Sequence, residues 1–261
     1  MTVPFENDTG NIVRKLARKS LKSEKRRNLM VVIAVALASC LICFSIVMAL
    51  STRQIEKNHV EDTYEAVYTR ITEEDVSTLK GLDDFSRVGE YYMLAVEPTE
   101  QGYNASYIYC DEETMYIARD QMKLLEGRLP QKEDEVVVSR YFLSNYGADA
   151  GIGEKVMLSS ESFHGEYTVT GIMEGYKEKE VNGSSILLSK EALKGWSGYD
   201  PADYRAYVHF KNEQQMDETE LTARSREIAK EYQLEMPIMN LSYMKFYKQP
   251  VNVSMLALVA G

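Results

Sequence analysis

Apolar and polar positions along the chain fall into three regimes. From Leu29 to Leu50 every position is apolar or small, with no charge, no Pro and no Gly. Roughly 22 residues at about 1.5 Å each give about 33 Å of helix, enough to cross a hydrocarbon core. In lipid only a helix satisfies its own backbone, so the run predicts a transmembrane helix. Before it, Asn11 to Leu21 repeats at the 3.6 period. Ile12, Val13, Leu16, Ala17, Ser20 and Leu21 share one face, and Arg14, Lys15, Arg18, Lys19 and Lys22 take the other. That pattern predicts a short amphipathic helix with Asp8, Thr9 or Asn11 as N-cap. After the span the pattern changes to short alternating runs punctuated by turn residues.

The span is expected to continue as helix from Thr52 to Val60. Glu65 to Ile71 then alternates as a strand. Thr72-Glu-Glu-Asp75 has the form of a capping box for a short helix to about Lys80, closed by Gly81. Phe85 to Val96 and Ala105 to Cys110 read as hairpin strands around a turn at Gln101 to Asn104. Leu124 to Pro130 reads as a loop. Strands are expected at Glu135–Ser139, Val156–Leu158, Glu166–Met173, Ser185–Ser189 and Tyr204–Phe210. Helices are expected at Arg140–Tyr146 (stopped by Gly147), Lys190–Trp196 and Asp217–Tyr232, with Pro237 and Ile238 opening a last extended piece. The fold class this predicts is α+β, with helices on one face of a sheet. The segmentation is residues 1–28 as a basic cytoplasmic helix, 29–50 as the span and 51–243 as a two-lobed mixed α/β extracytoplasmic domain. Its second lobe is an insertion at about 127–196. Residues 244–261 turn apolar and read as the start of a second transmembrane helix.

Charge orients this plan. Of the net −10, the first 28 residues carry eight basic and three acidic side chains, a net +5 that leaves −15 for the rest. The positive-inside bias puts the N-terminus in the cytoplasm and the main domain outside, and an anionic inner leaflet attracts the same basic segment. An acidic chain with pI near 5.0 lacks the basic face that nucleic-acid binding requires.

Candidate chemistry is sparse. Cys40 and Cys43 lie within the span and Cys110 alone outside it, so the outer domain is held by its core and not by an internal disulfide. Leu37-Ala-Ser-Cys40 has the form of a lipoprotein box, but the apolar run continues past Cys40 where a lipoprotein turns polar. His59, His164 and His209 have no metal-ligand spacing, and no cofactor is expected. Gly147 to Lys155 departs from a phosphate loop because Glu154 and Val156 flank the lysine. No pair of carboxylates is marked for acid–base work and no nucleophile elbow is present, so the chain is not expected to be an enzyme. The candidate site is the apolar face Ile12, Val13, Leu16 and Ala17, as a contact for a cytoplasmic partner beside its binding to membrane lipid.

Leu125-Glu-Gly-Arg-Leu-Pro130, Glu135-Val-Val-Val-Ser139, Gly151-Ile-Gly-Glu-Lys-Val-Met-Leu158 and Tyr167-Thr-Val-Thr-Gly-Ile172 follow one another behind the basic helix and the span. This succession resembles the extracytoplasmic domain of ABC-transporter permeases of the MacB/FtsX type. The resemblance implies a cytoplasmic ABC ATPase partner, a homodimer or pseudo-dimer, and coupling of ATP hydrolysis to motion of the outer domain for export of a substrate. The later spans and the ATPase-docking loop of the family lie outside this sequence, so the chain reads as a permease fragment. The alternatives are a single-span sensor or receptor with a ligand-binding ectodomain, and a surface lipoprotein acylated at Cys40.

Overall fold

The structure is a computed structural model that describes residues 9–23, 25–100, 102–146, 150–175 and 178–248. Helix α1 is Thr9–Ser23 and helix α2 is Lys25–Val60. Helix α2 contains the whole run from Leu29 to Leu50 and passes Cys40 without a break. Among the described residues it is the one helix long and apolar enough to cross a membrane, and its apolar window is 0% buried. Within that window the Ser39 and Ser45 hydroxyls donate to the carbonyls of Val35 and Leu41, each at 2.9 Å, so neither polar hydrogen faces lipid unpaired.

The described residues divide into two units, one of residues up to Ile55 and one from Glu56 onward. The second unit runs β1 (Ala66–Ile71), α3 (Glu73–Lys80), β2 (Phe85–Pro98), β3 (Asn104–Cys110), α4 (Glu112–Ile117), β4 (Met122–Gly127), β5 (Glu135–Ser139) and α5 (Arg140–Tyr146). It continues with β6 (Lys155–Ser159), β7 (His164–Gly175), α6 (Glu178–Val181), β8 (Gly183–Leu188), α7 (Lys190–Gly195), β9 (Tyr204–Phe210), α8 (Glu218–Glu231) and β10 (Ile238–Met239). The strands make one sheet in the order β10-β1-β9-β2-β3-β8-β5-β7-β4, with β6 paired to β7. Pairing is antiparallel except for β3 with β8 and β5 with β7. The parallel β3–β8 pair joins strands from the two flanks of the chain to strands from its middle.

The alternation read in the sequence sets the two faces of this sheet. Val136, Val138, Tyr92, Tyr204 and Val208 point into one hydrophobic cluster, which Val76 and Leu79 of α3 and Leu221 and Ile228 of α8 also enter. Val137, Tyr91, Leu187 and Tyr207 point into the other, with Met115 and Ile117 of α4. So a helix lies on each face, where the sequence placed helices on one. Helix α4 escaped the sequence reading because it is short; its start is nonetheless capped, with the Asp111 side chain accepting from Thr114 N. Strand β2 comes so close to α4 that a Cβ on Gly89 would sit 2.6 Å from Thr114 N, a contact only glycine allows.

The expected capping box forms at Thr72 with Asp75, and a second one forms at Asp217 with Glu220. One expectation is corrected. Leu124–Pro130 is not wholly loop, because β4 runs through Met122–Gly127 as an edge strand paired to β7. Its turn residues misled; pairing with the already apolar β7 decides the backbone. The stop at Gly147, the N-cap at Asp8 and the second span beyond Lys248 lie outside the described residues.

Candidate functional site

Helix α1 carries the candidate partner face. Ile12, Val13 and Leu16 are 59, 62 and 62% exposed, and Ala17 is exposed beside them. All four lie on the face opposite the basic residues, as the periodicity requires.

The motif residues behind the family resemblance gather at the β5–β7 end of the sheet. Arg128 forks onto Glu135 with Nη1 and Nη2 each at 2.8 Å. The Gln131 amide also donates to Glu135, at 2.9 Å. The guanidinium, then these amides, hold the Glu135 carboxyl down at about 2. Gly127 has φ +81° and pairs with Gly171 across β4 and β7. A Cβ on Gly171 would come within 2.8 Å of the Arg128 carbonyl. Gly153, at φ +88°, donates its N–H to the Val169 carbonyl at 2.8 Å. These residues brace a strand arrangement and expose no reactive group.

A second gathering lies where the chain comes into and leaves the sheet, and the sequence did not show it. Glu65 is fully buried. It accepts from Phe210 N and pairs with His209 Nδ1, each at 2.8 Å. Its carbonyl accepts from Asn240 N at 2.8 Å, and the Asn240 side chain donates to the Tyr64 carbonyl at 3.0 Å. Asn240 caps the turn Leu241–Tyr243 by accepting from Tyr243 N at 3.1 Å. The Tyr243 hydroxyl then donates to Glu213 at 2.8 Å, and Lys248 Nζ meets the same carboxylate at 3.0 Å. Tyr247 stacks on Tyr243 with ring centres 5.0 Å apart and lies under Lys57 Nζ at 5.1 Å.

Burial pushes the Glu65 carboxyl up, against its bonds to His209 and Phe210. Burial alone would push the His209 imidazole down, but the Glu65 bond and charge turn its shift upward. The pair therefore holds a proton to higher pH than an exposed pair would. The one signal in the sequence was a glutamate directly before the apolar start, Ala66-Val-Tyr68, of an alternating strand.

Cys110 is buried and burial pushes its thiol up, so it is a core residue and not a nucleophile. Among the described residues no three His, Cys, Asp or Glu side chains stand where they could hold a metal ion. What the geometry offers is mechanical: charged and aromatic contacts pin the segment after α2 to the segment before residue 249.

Compared with known families, residues 29–226 match the model of the MacB-like periplasmic core domain. The chain belongs to that family. The MacB-like core thus starts within helix α2 and reaches into α8, and the permease resemblance of the MacB/FtsX type stands. Its fold is like that of the periplasmic region of MacB from Actinobacillus actinomycetemcomitans. The TM-score is 0.50 at 10% identity, over 71% of this chain and 91% of that one. The extracellular domain of the ABC-type transporter YknZ from Gram-positive bacteria aligns at 15% identity over 68% of this chain and 100% of that one, with a TM-score of 0.48. No curated protein matches the chain. A family of periplasmic domains and one apolar helix together mark a membrane protein with an extracytoplasmic domain.

Proposed function

We propose that this chain is a permease subunit of an ABC transporter, with its N-terminus in the cytoplasm and residues 51–243 outside. A partner ATPase drives motion of the outer domain for export or extrusion of a substrate. The observation that carries the reading is a MacB-like core directly behind an apolar helix whose other flank is strongly basic. The pinned ends of the outer domain support coupling, since a displacement of the segment after α2 is passed at once to the segment leading to residue 249. The exposed face of Ile12, Val13, Leu16 and Ala17 is the ATPase contact in this reading, with lipid headgroups on the basic side. Two copies, or a copy and a related permease, form the working pair. The lobe at about 127–196 is the part furthest in sequence from both ends and the one that meets substrate or an outer partner.

Orientation is tested with single cysteines at two exposed serines, Ser20 and Ser197, in a background without Cys40, Cys43 and Cys110. In intact cells a membrane-impermeant maleimide should label Ser197→Cys and leave Ser20→Cys unlabelled until the cells are opened. The reverse pattern rejects the reading. The partner contact is tested by Leu16→Asp, which removes a contact worth about 1.5–3 kcal/mol when buried. Membrane levels should hold while recovery of the ATPase with detergent-solubilised chain falls. Equal recovery leaves α1 as a lipid anchor only.

A further inference from the structure

Strand β4 ends the sheet, paired to β7 along one edge with no described strand beside the other. From Lys123 to Glu126 its backbone makes no hydrogen bond outside that pairing among the described residues. Such an edge is a template for another strand. A groove of about 420 Å³ runs beside it. One wall is helix α4, where Glu112, Met115 and Tyr116 share a face, with Arg119 just past its end. The other wall is β4 and the residues after it. Lys123 and Leu124 both line the groove. Neighbours on a strand point to opposite faces of a sheet, so a groove lined by both follows the edge itself.

Met115, Leu124 and Leu129 give the groove an apolar floor continuous with the core on that face of the sheet. Tyr116 borders it, 47% exposed. The Arg87 guanidinium lies 4.3 Å and the Arg119 guanidinium 5.2 Å from its ring centre. A ring held by two arginines is a rigid anchor of the kind that carries binding energy at interfaces. The charges lining the groove are Arg119, Lys123 and Arg128 against Glu112. Arg119 is fixed by the carbonyls of Glu61 and Asp62, and Arg128 by Glu135. Lys123 has no charge partner among the described residues. The rim is thus cationic although the chain beyond residue 28 is strongly acidic. We propose that an extended acidic segment of a partner protein binds here as a further strand on β4. Its apolar side chains rest on Met115, Leu124 and Leu129, and its carboxylates face Lys123 and Arg119. Main-chain bonds supply affinity and the groove supplies specificity. The bulge between Leu124 and Glu126 and the Lys123 charge guard the edge against indiscriminate pairing, so a segment must match the groove to bind. The proposal does not depend on the transport reading.

The test uses the full chain in phosphatidylcholine nanodiscs and the end-capped hexapeptide Asp-Val-Glu-Leu-Asp-Val, in titration calorimetry against empty nanodiscs. The peptide should bind saturably at one site, and Lys-Val-Lys-Leu-Lys-Val should not. Two further versions of the acidic peptide carry N-methyl groups on alternate amides, one set each. One version should lose binding and the other keep it, because only one row of amides of an added strand faces β4. Lys123→Glu should weaken the acidic peptide about fivefold or more, the scale of an exposed charge pair lost and reversed. Tyr116→Ala should weaken it at least as much through the lost anchor. Both side chains are at the surface, and circular dichroism confirms that each variant is folded. Absence of saturable binding to the wild-type chain overturns the proposal. So does equal binding of the lysine peptide, an equal effect of the two methylation sets, or undiminished binding in either variant. A dimer of the wild-type chain that Lys123→Glu dissociates would place a second copy on the edge and overturns it as well.

Discussion

The two ends of the one sheet are built differently. At the end made of β10, β1, β9 and β2 the largest fully buried side chains include Tyr68, Tyr92 and Tyr204, with Tyr243 packed beside them. Their hydroxyls are used: Tyr68 donates to the Ser225 carbonyl at 2.9 Å and Tyr92 to the Asp200 carbonyl at 3.2 Å. Glu65 and Glu213 are buried among these rings. At the end made of β8, β5 and β7 the core is Val136, Val137, Val138, Val169, Ile186, Leu187 and Leu188. The charge pairs there, Arg128 with Glu135 and Lys155 with Glu166, are on the rim, with the Arg128 and Lys155 side chains 49% and 64% exposed. An aliphatic core is stable and indifferent to its exact partners. A buried polar network is specific and unforgiving, because each lost partner leaves a desolvated group behind. The specific end is the one where the chain comes into and leaves the domain.

If that contrast holds, the largest single effect should come from Lys248→Ala. It leaves Glu213 buried without its cation and should cost about 3–5 kcal/mol of outer-domain stability. Urea unfolding of the detergent-held chain, read by Trp196 fluorescence and circular dichroism, measures it. A loss below about 1 kcal/mol, the size of an exposed pair, would erase the contrast. Leu187→Ala at the aliphatic end should cost about 3 kcal/mol through transfer and cavity terms. Its unfolding should remain cooperative, and exchange protection at Asn240 to Lys248 should be unchanged. Loss of that protection would mean the two ends are not separable.

The ends should also differ in their response to pH, with smaller effects. His209 has a raised folded-state pKa, so its contribution is fully present below the unfolded value of about 6.5. That contribution is lost as pH rises through the folded value. The unfolding midpoint should therefore drift down on the alkaline side, and His209→Gln should flatten the drift. An unchanged drift in the variant would remove the pair from the account. Smallest is the rim pair. Glu135 is depressed to about 2, so its contribution is present above the unfolded value of about 4.3 and lost as pH falls from there toward about 2. Arg128→Gln should lower stability slightly at neutral pH, where the contribution of this exposed pair is present, and should blunt the acid-side loss by the same amount. A loss at neutral pH as large as that of Leu187→Ala would show that the fork carries the strand arrangement.

Much of this was legible in the sequence because its cause is local. The run Leu29 to Leu50 has no polar interruption, so its helix follows from backbone chemistry alone. The capping box at Thr72 read correctly because donor and acceptor are three residues apart. Alternation in Val136-Val-Val138 and Tyr204 to Phe210 already sorted side chains to two faces. The amphipathic face of Ile12 and Leu16 was equally plain, since a helix with one apolar side needs no partner to be recognised.

What only the tertiary structure decided depends on pairs far apart in the chain. The parallel joining of β3 to β8 makes one sheet from the flanks and the middle, and no local pattern encodes which strands become neighbours. Strand β4 was hidden because its turn-like residues are overruled by pairing with β7. Glu65 and His209 stand 144 positions apart and Glu213 and Lys248 35 apart; each looks like an ordinary surface charge until the fold removes water from it. Sequence alone determined most of the elements and the apolar span, because hydrogen bonds and periodicity act over a few residues. The fold decided the charged clasp, because desolvation is a property of the closed structure.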